Sequence, residues 1–309
     1  MKKCAIAIPF YGKLPYWMNI YIQSCFGIKT LDIIFITDLD FSNFELPENV
    51  KIVSMRLEDV IARVYNATGI TPNIHKPYKL CDIRPLYGKI FEDIFAPYEY
   101  WGWGDCDLVY GNIDKFLQKI NYTQYDVISL RKYWTTGSFS LFKNIECLRN
   151  LGVENPDLKE ILTTPENLCN DEAGGHWHEL AAGRSLAELE VGVKSFTSMV
   201  SERGLKWYHE DIIKERLYRF QYLKKNKNGI FYSDGKECFI CHFVVLKKTF
   251  IFKLPHWDVV PEEYLIDRTG LYVEYSMLRK VKTFFEICRY EAYRLVQKTY
   301  RLFRYGKWY

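Results

Sequence analysis

Three short apolar runs in the first 55 residues constrain this chain more than anything else in it: Cys4-Ala-Ile-Ala-Ile8, Leu31-Asp-Ile-Ile-Phe-Ile-Thr37 and residues 50–55. Each is too short for a core helix and rich in Ile or Val, and the first two are followed by a turn-former or an acid, Pro9 and Asp38. Gly12 and Pro15 mark the loop after the first run, and residues 17–26 read as a helix. Strand, helix, strand at this spacing predicts a parallel sheet with helices packed against it. A chain of 309 residues, 48% of them apolar, has material for one large α/β domain with an appendage.

Further on, Leu80, Ile83, Tyr87, Ile90, Phe91, Ile94 and Phe95 recur at helical spacing, with Pro85 marking a first turn or a kink. Residues 99–104, 126–130 and 139–142 read as strands. Residues 150–200 suit helices and long loops, and a basic, aromatic stretch over 206–224 has no assigned structure. A hairpin is expected over 230–247 with its turn at Ser233-Asp-Gly235, residues 254–268 read as loop, and a last helix begins near 276. This gives a main domain over 1–250, a connection over 251–275 and a basic amphipathic tail over 276–309.

A net charge of +4 excludes a general nucleic-acid binder. The charge is uneven: residues 276–309 hold nine Lys or Arg and two Glu, a net of +7, which leaves the rest of the chain at −3. In that tail Leu278, Val281, Phe285, Cys288, Ala292, Leu295, Thr299 and Leu302 recur at three- and four-residue steps, and Trp308 and Tyr309 end it. Such a helix either lies on an anionic membrane or docks on the body. Nine cysteines without a regular framework fit reduced thiols. The opening apolar run is too short for a signal-peptide core, and no run reaches membrane-spanning length. The expected location is cytoplasmic, peripheral on the inner face of the cell membrane.

The chemistry centres on Trp101-Gly-Trp-Gly-Asp-Cys-Asp107. In an extended chain Asp105 and Asp107 face the same way and can share one hard divalent cation, Mn²⁺ or Mg²⁺. The plainer reading is two solvated loop acids. Lys79, Asp82 and Arg84 form a second group; on a helix Lys79 and Asp82 share a face, suited to a ribose and a phosphate or to a salt bridge. His242 is a candidate third metal ligand, and Lys247 or Lys248 a candidate diphosphate contact, the alternative being an ordinary hairpin. Asp171 and Glu172 are candidate acceptor-side bases, or members of a polar loop. Gly137 either lets backbone approach a sugar or marks a plain turn. Cys238-Phe-Ile-Cys241-His242 spells the c-type haem pattern, but nothing else in the chain supports export or haem.

The order Lys79-Leu-Cys-Asp-Ile-Arg84, helix, then Trp-Gly-Trp-Gly-Asp-Cys-Asp-Leu-Val-Tyr-Gly111 resembles GT-A-type glycosyltransferases, in particular an uncharacterised family from bacterial surface-polysaccharide gene clusters. The resemblance extends over residues 1–250 and is strongest from Lys79 to Gly111. It implies an α/β fold with a GT-A-like, Rossmann-like, mostly parallel central sheet flanked by helices, and a C-terminal helical tail. It further implies transfer of a hexose from a nucleotide sugar, a UDP-hexose first, to a saccharide or lipid-linked acceptor. By position Asp107 is then the direct metal ligand. Asp105 binds ribose and metal, Asp82 contacts nucleoside or sugar, and His242 matches a late His ligand without its usual Gly and Trp neighbours. Pro9, Phe10 and Tyr11 match the start of the base and ribose pocket, with Asp38 close to it and Leu39 and Asp40 as alternatives.

Two other classes compete. A metal-dependent phosphohydrolase would carry Asp-x-Asp after the first strand, where this chain has Pro9-Phe-Tyr. A non-catalytic carbohydrate-binding protein would use the aromatics as platforms and need neither metal nor nucleotide.

Overall fold

The computed structural model describes residues 2–189, 192–218, 221–274 and 276–305. The first half of the chain supplies β1 (Lys2–Pro9), β2 (Leu31–Thr37), β3 (Val50–Ser54), β4 (Tyr98–Gly104), β5 (Leu108–Tyr110), β6 (Val127–Ser129) and β7 (Phe139–Lys143). The second half supplies β8 (Trp207–His209), β9 (Ile213–Lys214), β10 (Leu223–Asn226), β11 (Gly229–Tyr232), β12 (Glu237–Cys238), β13 (Ile240–His242), β14 (Tyr264–Asp267) and β15 (Gly270–Tyr272). The protein is a mixed α/β chain whose largest sheet is mostly parallel and flanked by helices.

Two compact units divide it. The first takes residues 1–18, 25–106 and 113–212; the second takes 19–24, 107–112 and 213–309. The second unit therefore holds residues on both sides of position 250.

In the first unit one sheet runs β3-β2-β1-β4-β7-β6-β8. Its β2–β3, β1–β2, β1–β4 and β6–β8 pairs are parallel, and β7 runs against both its neighbours. From β1 the chain moves outward one way to β2 and β3, then returns to place β4 on the other side of β1. That makes the boundary between β1 and β4 a topological switch point, and in such sheets ligands bind beyond the carboxyl ends of the strands at that boundary. Pro9, Phe10 and Tyr11 leave β1 there, and Asp105 leaves β4 there.

The Trp-Gly-Trp-Gly run explains how β4 is built. Trp101 and Trp103 are fully buried against Phe142, and Trp103 also meets Phe196. A Cβ on the intervening Gly102 would come 2.0 Å from the Ser140 carbonyl oxygen of β7, so only glycine allows these strands to approach. Ala5, Ala7, Ile34, Ile36, Val60 and Val64 extend this core under the helix Leu57–Thr68.

The second unit carries two smaller sheets, β12-β11-β10-β14-β15, antiparallel throughout, and β5-β13-β9. In the latter β13 runs antiparallel to β5 and parallel to β9. The helix Met277–Tyr305 ends the described chain. Residues 306–309, with Trp308 and Tyr309, and the side chain of Leu302 lie outside the described residues. Among the described residues no helix is long and apolar enough to cross a membrane.

Three local expectations need correction. The helical spacing from Leu80 to Phe95, with Pro85 as a first turn or kink, resolves into a 3₁₀ segment, Pro77–Leu86, followed by two short turns of α-helix, Tyr87–Ile90 and Glu92–Phe95. Pro85 inside the segment removes a backbone donor and prevents regular α-helix there. The hairpin keeps its first turn, but its second arm leaves after Cys238, and β13 pairs in the other sheet. Part of the stretch expected as loop over 254–268 is β14, paired with β10 and β15.

Candidate metal and donor site

Two clusters of charged side chains lie at the ends of Asp105-Cys-Asp107, one in each unit. In the first unit Arg84, only 12% exposed, holds two carboxylates at once: Nη2 donates to Asp105 Oδ1 at 2.5 Å and Nη1 to Asp171 Oδ2 at 2.7 Å. Glu172 stands beside them and accepts from the Gly137 backbone N–H at 2.8 Å. Two acids thus share one guanidinium, with a third beside them. Burial, opposed by Arg84 and aided by the Glu172 charge, pushes the Asp171 carboxyl up to about 8. Burial raises Glu172 too, against the Gly137 hydrogen bond and Arg84.

The loop that presents these acids is fastened from below. Lys79 and Asp82, 1% and 0% exposed, are paired at 2.8 Å. Lys79 Nζ also donates to the carbonyls of Ile161 at 2.6 Å and Glu166 at 2.7 Å, so all three ammonium protons are engaged. Asp82 accepts from the backbone N–H groups of Leu168 and Asn170, at 2.8 and 2.9 Å. These two N–H groups flank Cys169, whose φ of 54° is a left-handed conformation that costs a non-glycine residue free energy. The structure places Lys79 and Asp82 as this clamp, whereas the sequence suggested donor contacts.

Gly137 sits where Arg84, Asp171 and Glu172 converge. A Cβ there would lie 2.3 Å from Arg84 Nη1 and 2.7 Å from Asp171 Oδ2. Gly137→Ala is expected to destabilise the fold by about 1–3 kcal/mol through overpacking and to displace Arg84. A urea unfolding curve measures the first effect; an unchanged midpoint would mean that the guanidinium moves aside freely.

In the second unit Asp107 and His242 are 6% and 5% exposed. The antiparallel register His242↔Leu108 and the bond from Phe243 N–H to the Asp107 carbonyl, 3.1 Å, bring the two together. His242 Nε2 lies 3.1 Å from Asp107 Oδ1, while Nδ1 lies 3.1 Å from Glu215 Oε1. Lys247 Nζ donates to Asp107 Oδ2 at 2.6 Å. Burial alone would raise Asp107, but the His242 hydrogen bond and the His242 and Lys247 charges outweigh it and hold the carboxyl well below its usual range.

The Asp107–His242 pair fits a divalent cation. Its 3.1 Å separation is close to the roughly 3 Å between adjacent corners of an octahedron with bonds of about 2.1 Å. The contact of Nδ1 with a carboxylate is the usual outer support of a metal-binding imidazole, leaving Nε2 to ligate. Asp105 is joined to Asp107 through Cys106 alone.

The remaining expected residues lie along the carboxyl ends of β1 and β2. Phe10 N–H continues the ladder to Ile36, 3.0 Å, and Tyr11 OH donates to the Met55 carbonyl at 3.2 Å. Burial, then the charge of nearby Asp38, raises the Tyr11 hydroxyl above its ordinary range. Asp38 is exposed. The nine cysteines are free thiols, with Cys238 and Cys241 buried.

A family of unknown function, DUF6625, matches residues 6–253. The chain belongs to DUF6625. No curated protein and no solved structure matches it. The DUF6625 match takes in both clusters and ends before β14, β15 and the C-terminal helix.

Sequence reasoning missed Glu215 in this DUF6625 chain. The parallel register of β9 with β13, Ile213↔Ile240 and Lys214↔Cys241, carries the next residue of each strand, Glu215 and His242, to the same level. No motif in the sequence signals that pairing. Asn170 and Thr197, which hold the acid loop by hydrogen bonds to Asp82 and to the Thr135 backbone, were also silent.

Proposed function

We propose that this DUF6625 protein is a GT-A-like, metal-dependent glycosyltransferase that moves a hexose from a nucleotide sugar to a saccharide or lipid-linked acceptor in bacterial surface-polysaccharide synthesis. The observation that carries the reading is the buried Asp107–His242 pair, with His242 backed by Glu215 and Asp107, three residues beyond the carboxyl end of β4, also met by Lys247.

In this reading Asp105, Asp107 and His242 hold Mn²⁺ or Mg²⁺. When bound, such an ion supplies charge to offset that of a leaving diphosphate. Lys247 turns from Asp107 to the diphosphate and adds a second positive charge. Pro9, Phe10, Tyr11 and Asp38 form the rim for base and ribose at the switch point of the sheet. Arg84 orients Asp105 and Asp171 together.

The bond between the sugar's anomeric carbon and the diphosphate oxygen breaks, and one forms to the acceptor oxygen. The hydroxyl proton of the acceptor passes to Asp171 or Glu172. The base must be ionised when the acceptor arrives, and a carboxyl whose pKa is raised toward working pH is more basic in that ionised form than a solvated one. An inverting transfer needs that base; a retaining one does not.

The raised Asp171 has a consequence for stability. Folded, it is half protonated near pH 8, whereas a solvated aspartic acid reaches that point near 3.8. Its stabilising contribution is therefore fully present below about pH 4 and is lost as pH rises through about 8. Urea midpoints taken across that window should fall with pH in the wild type and fall less in Asp171→Asn. Equal slopes in the two proteins would remove the basis for this assignment.

Purified protein with Mn²⁺ and a panel of nucleotide sugars tests the reaction. At least one donor should release nucleoside diphosphate, and a chelator should stop it. If no donor is bound or hydrolysed, the transferase reading fails.

A further inference from the structure

The helix Met277–Tyr305 packs the wrong way round for a docked amphipathic helix. Its inward face is largely polar, apart from Ile287 and the packing of Tyr290 on Phe250. Thr283, 1% exposed, donates to Asp267 Oδ2 at 3.2 Å, and Arg279 donates to Thr269 Oγ1 at 2.8 Å while its guanidinium lies 3.9 Å from the centre of the Tyr272 ring. Glu291 accepts from Arg268 at 2.7 Å. Ile287 is the one large apolar side chain buried from this helix among the described residues.

The outward face is apolar. Met277, Leu278, Phe284, Phe285, Leu295 and Val296 are 75%, 79%, 46%, 65%, 59% and 63% exposed. At about 100° per residue they fall in a sector of about 120°, on the far side from Thr283 and Ile287. At about 1.5 Å per residue the stripe is about 29 Å long. Scattered exposed apolar residues need no partner, but a continuous stripe of this size marks an interaction surface.

The flanking charges identify the occupant. Lys282 and Arg289 line one shoulder of the stripe, Lys280 and Lys298 the other. The helix holds eight Lys or Arg against two Glu. A second copy laid on the stripe would bring like charges together on both shoulders. A surface that is apolar beneath and anionic above complements both features, and that is the acyl boundary and headgroup layer of an anionic membrane leaflet. The helix is not apolar enough to cross it.

We propose that the C-terminal helix is a lipid-surface helix, docked on its own unit through its polar face and seating the stripe from Met277 to Val296 in an anionic leaflet.

Vesicle flotation with the full chain tests this. Binding to phosphatidylcholine vesicles containing about 30% phosphatidylglycerol should exceed binding to phosphatidylcholine alone by about tenfold or more, since each basic residue near such a surface contributes, and it should weaken at high salt. The double variant Leu278→Glu with Phe285→Glu should lose about tenfold or more of that binding. Its melting temperature should match the wild type, because both side chains are exposed. Equal or absent binding to the two vesicle types overturns the proposal, as does binding that the double variant leaves intact. Sedimentation velocity completes the test: a salt-stable dimer that the same variant dissolves would assign the stripe to a second copy and also overturn it. None of these readouts depends on transferase activity.

Discussion

Asp82→Asn should destabilise the protein by about 3–5 kcal/mol, the usual cost of removing one partner from a buried ion pair. Lys79 would keep its two carbonyl acceptors but lose its counter-charge in a site 1% exposed. Asparagine can still accept one of the two backbone N–H bonds that flank Cys169, but it cannot match both bonds and the ammonium. The left-handed Cys169 would then be under-determined, and the loop carrying Asp171 and Glu172 should loosen. Urea unfolding gives the stability, and hydrogen exchange at Leu168 and Asn170 reports the loop. An Asp82→Asn protein with wild-type midpoint and protection would contradict the clamp.

Asp107→Asn should abolish cation binding while leaving the fold nearly unchanged. The amide keeps the carboxylate's shape, and Lys247, 28% exposed in its side chain, can turn to water. Losing a ligand should weaken Mn²⁺ binding by more than the about 10–100-fold that losing an outer partner of a ligand costs. Glu215→Gln supplies that smaller loss, since Glu215 meets His242 and not Asp107. Lys247→Met should behave differently again: it removes the ammonium that competes with a cation for Asp107, so it should keep Mn²⁺ binding and lose nucleoside diphosphate binding. Calorimetric titration separates the three. If Asp107→Asn binds Mn²⁺ as well as the wild type, the assignment of the ligand is wrong.

Much of the first sheet was legible because its strands are buried on both faces and read as short apolar runs: residues 4–8, 31–37 and 99–104 lie within β1, β2 and β4. The acid pair was legible for the same reason, standing where a run of Trp and Gly ends. What was hidden depends on long-range pairing. β9 is two residues long, and only its register with β13 brings Glu215 level with His242. The clamp was half legible. Lys79 and Asp82 were found as a pair three residues apart, but their real partners lie about 80–90 residues away in sequence at Ile161, Glu166, Leu168 and Asn170. The helical spacing from Leu80 to Phe95 was legible and Pro85 was read as a first turn or a kink, but spacing alone does not say that the backbone before Tyr87 is 3₁₀. The tail pattern was visible as an apolar stripe; that this stripe faces outward was not, because periodicity does not say which face docks.

The most direct test of the metal-and-nucleotide centre is thermal unfolding with UDP, with and without Mn²⁺. UDP at about 100 times its dissociation constant should stabilise the protein by about 2.7 kcal/mol, a rise of several degrees, only when Mn²⁺ is present and not in Asp107→Asn. A UDP shift that is the same without metal, or one that Asp107→Asn retains, would contradict the account.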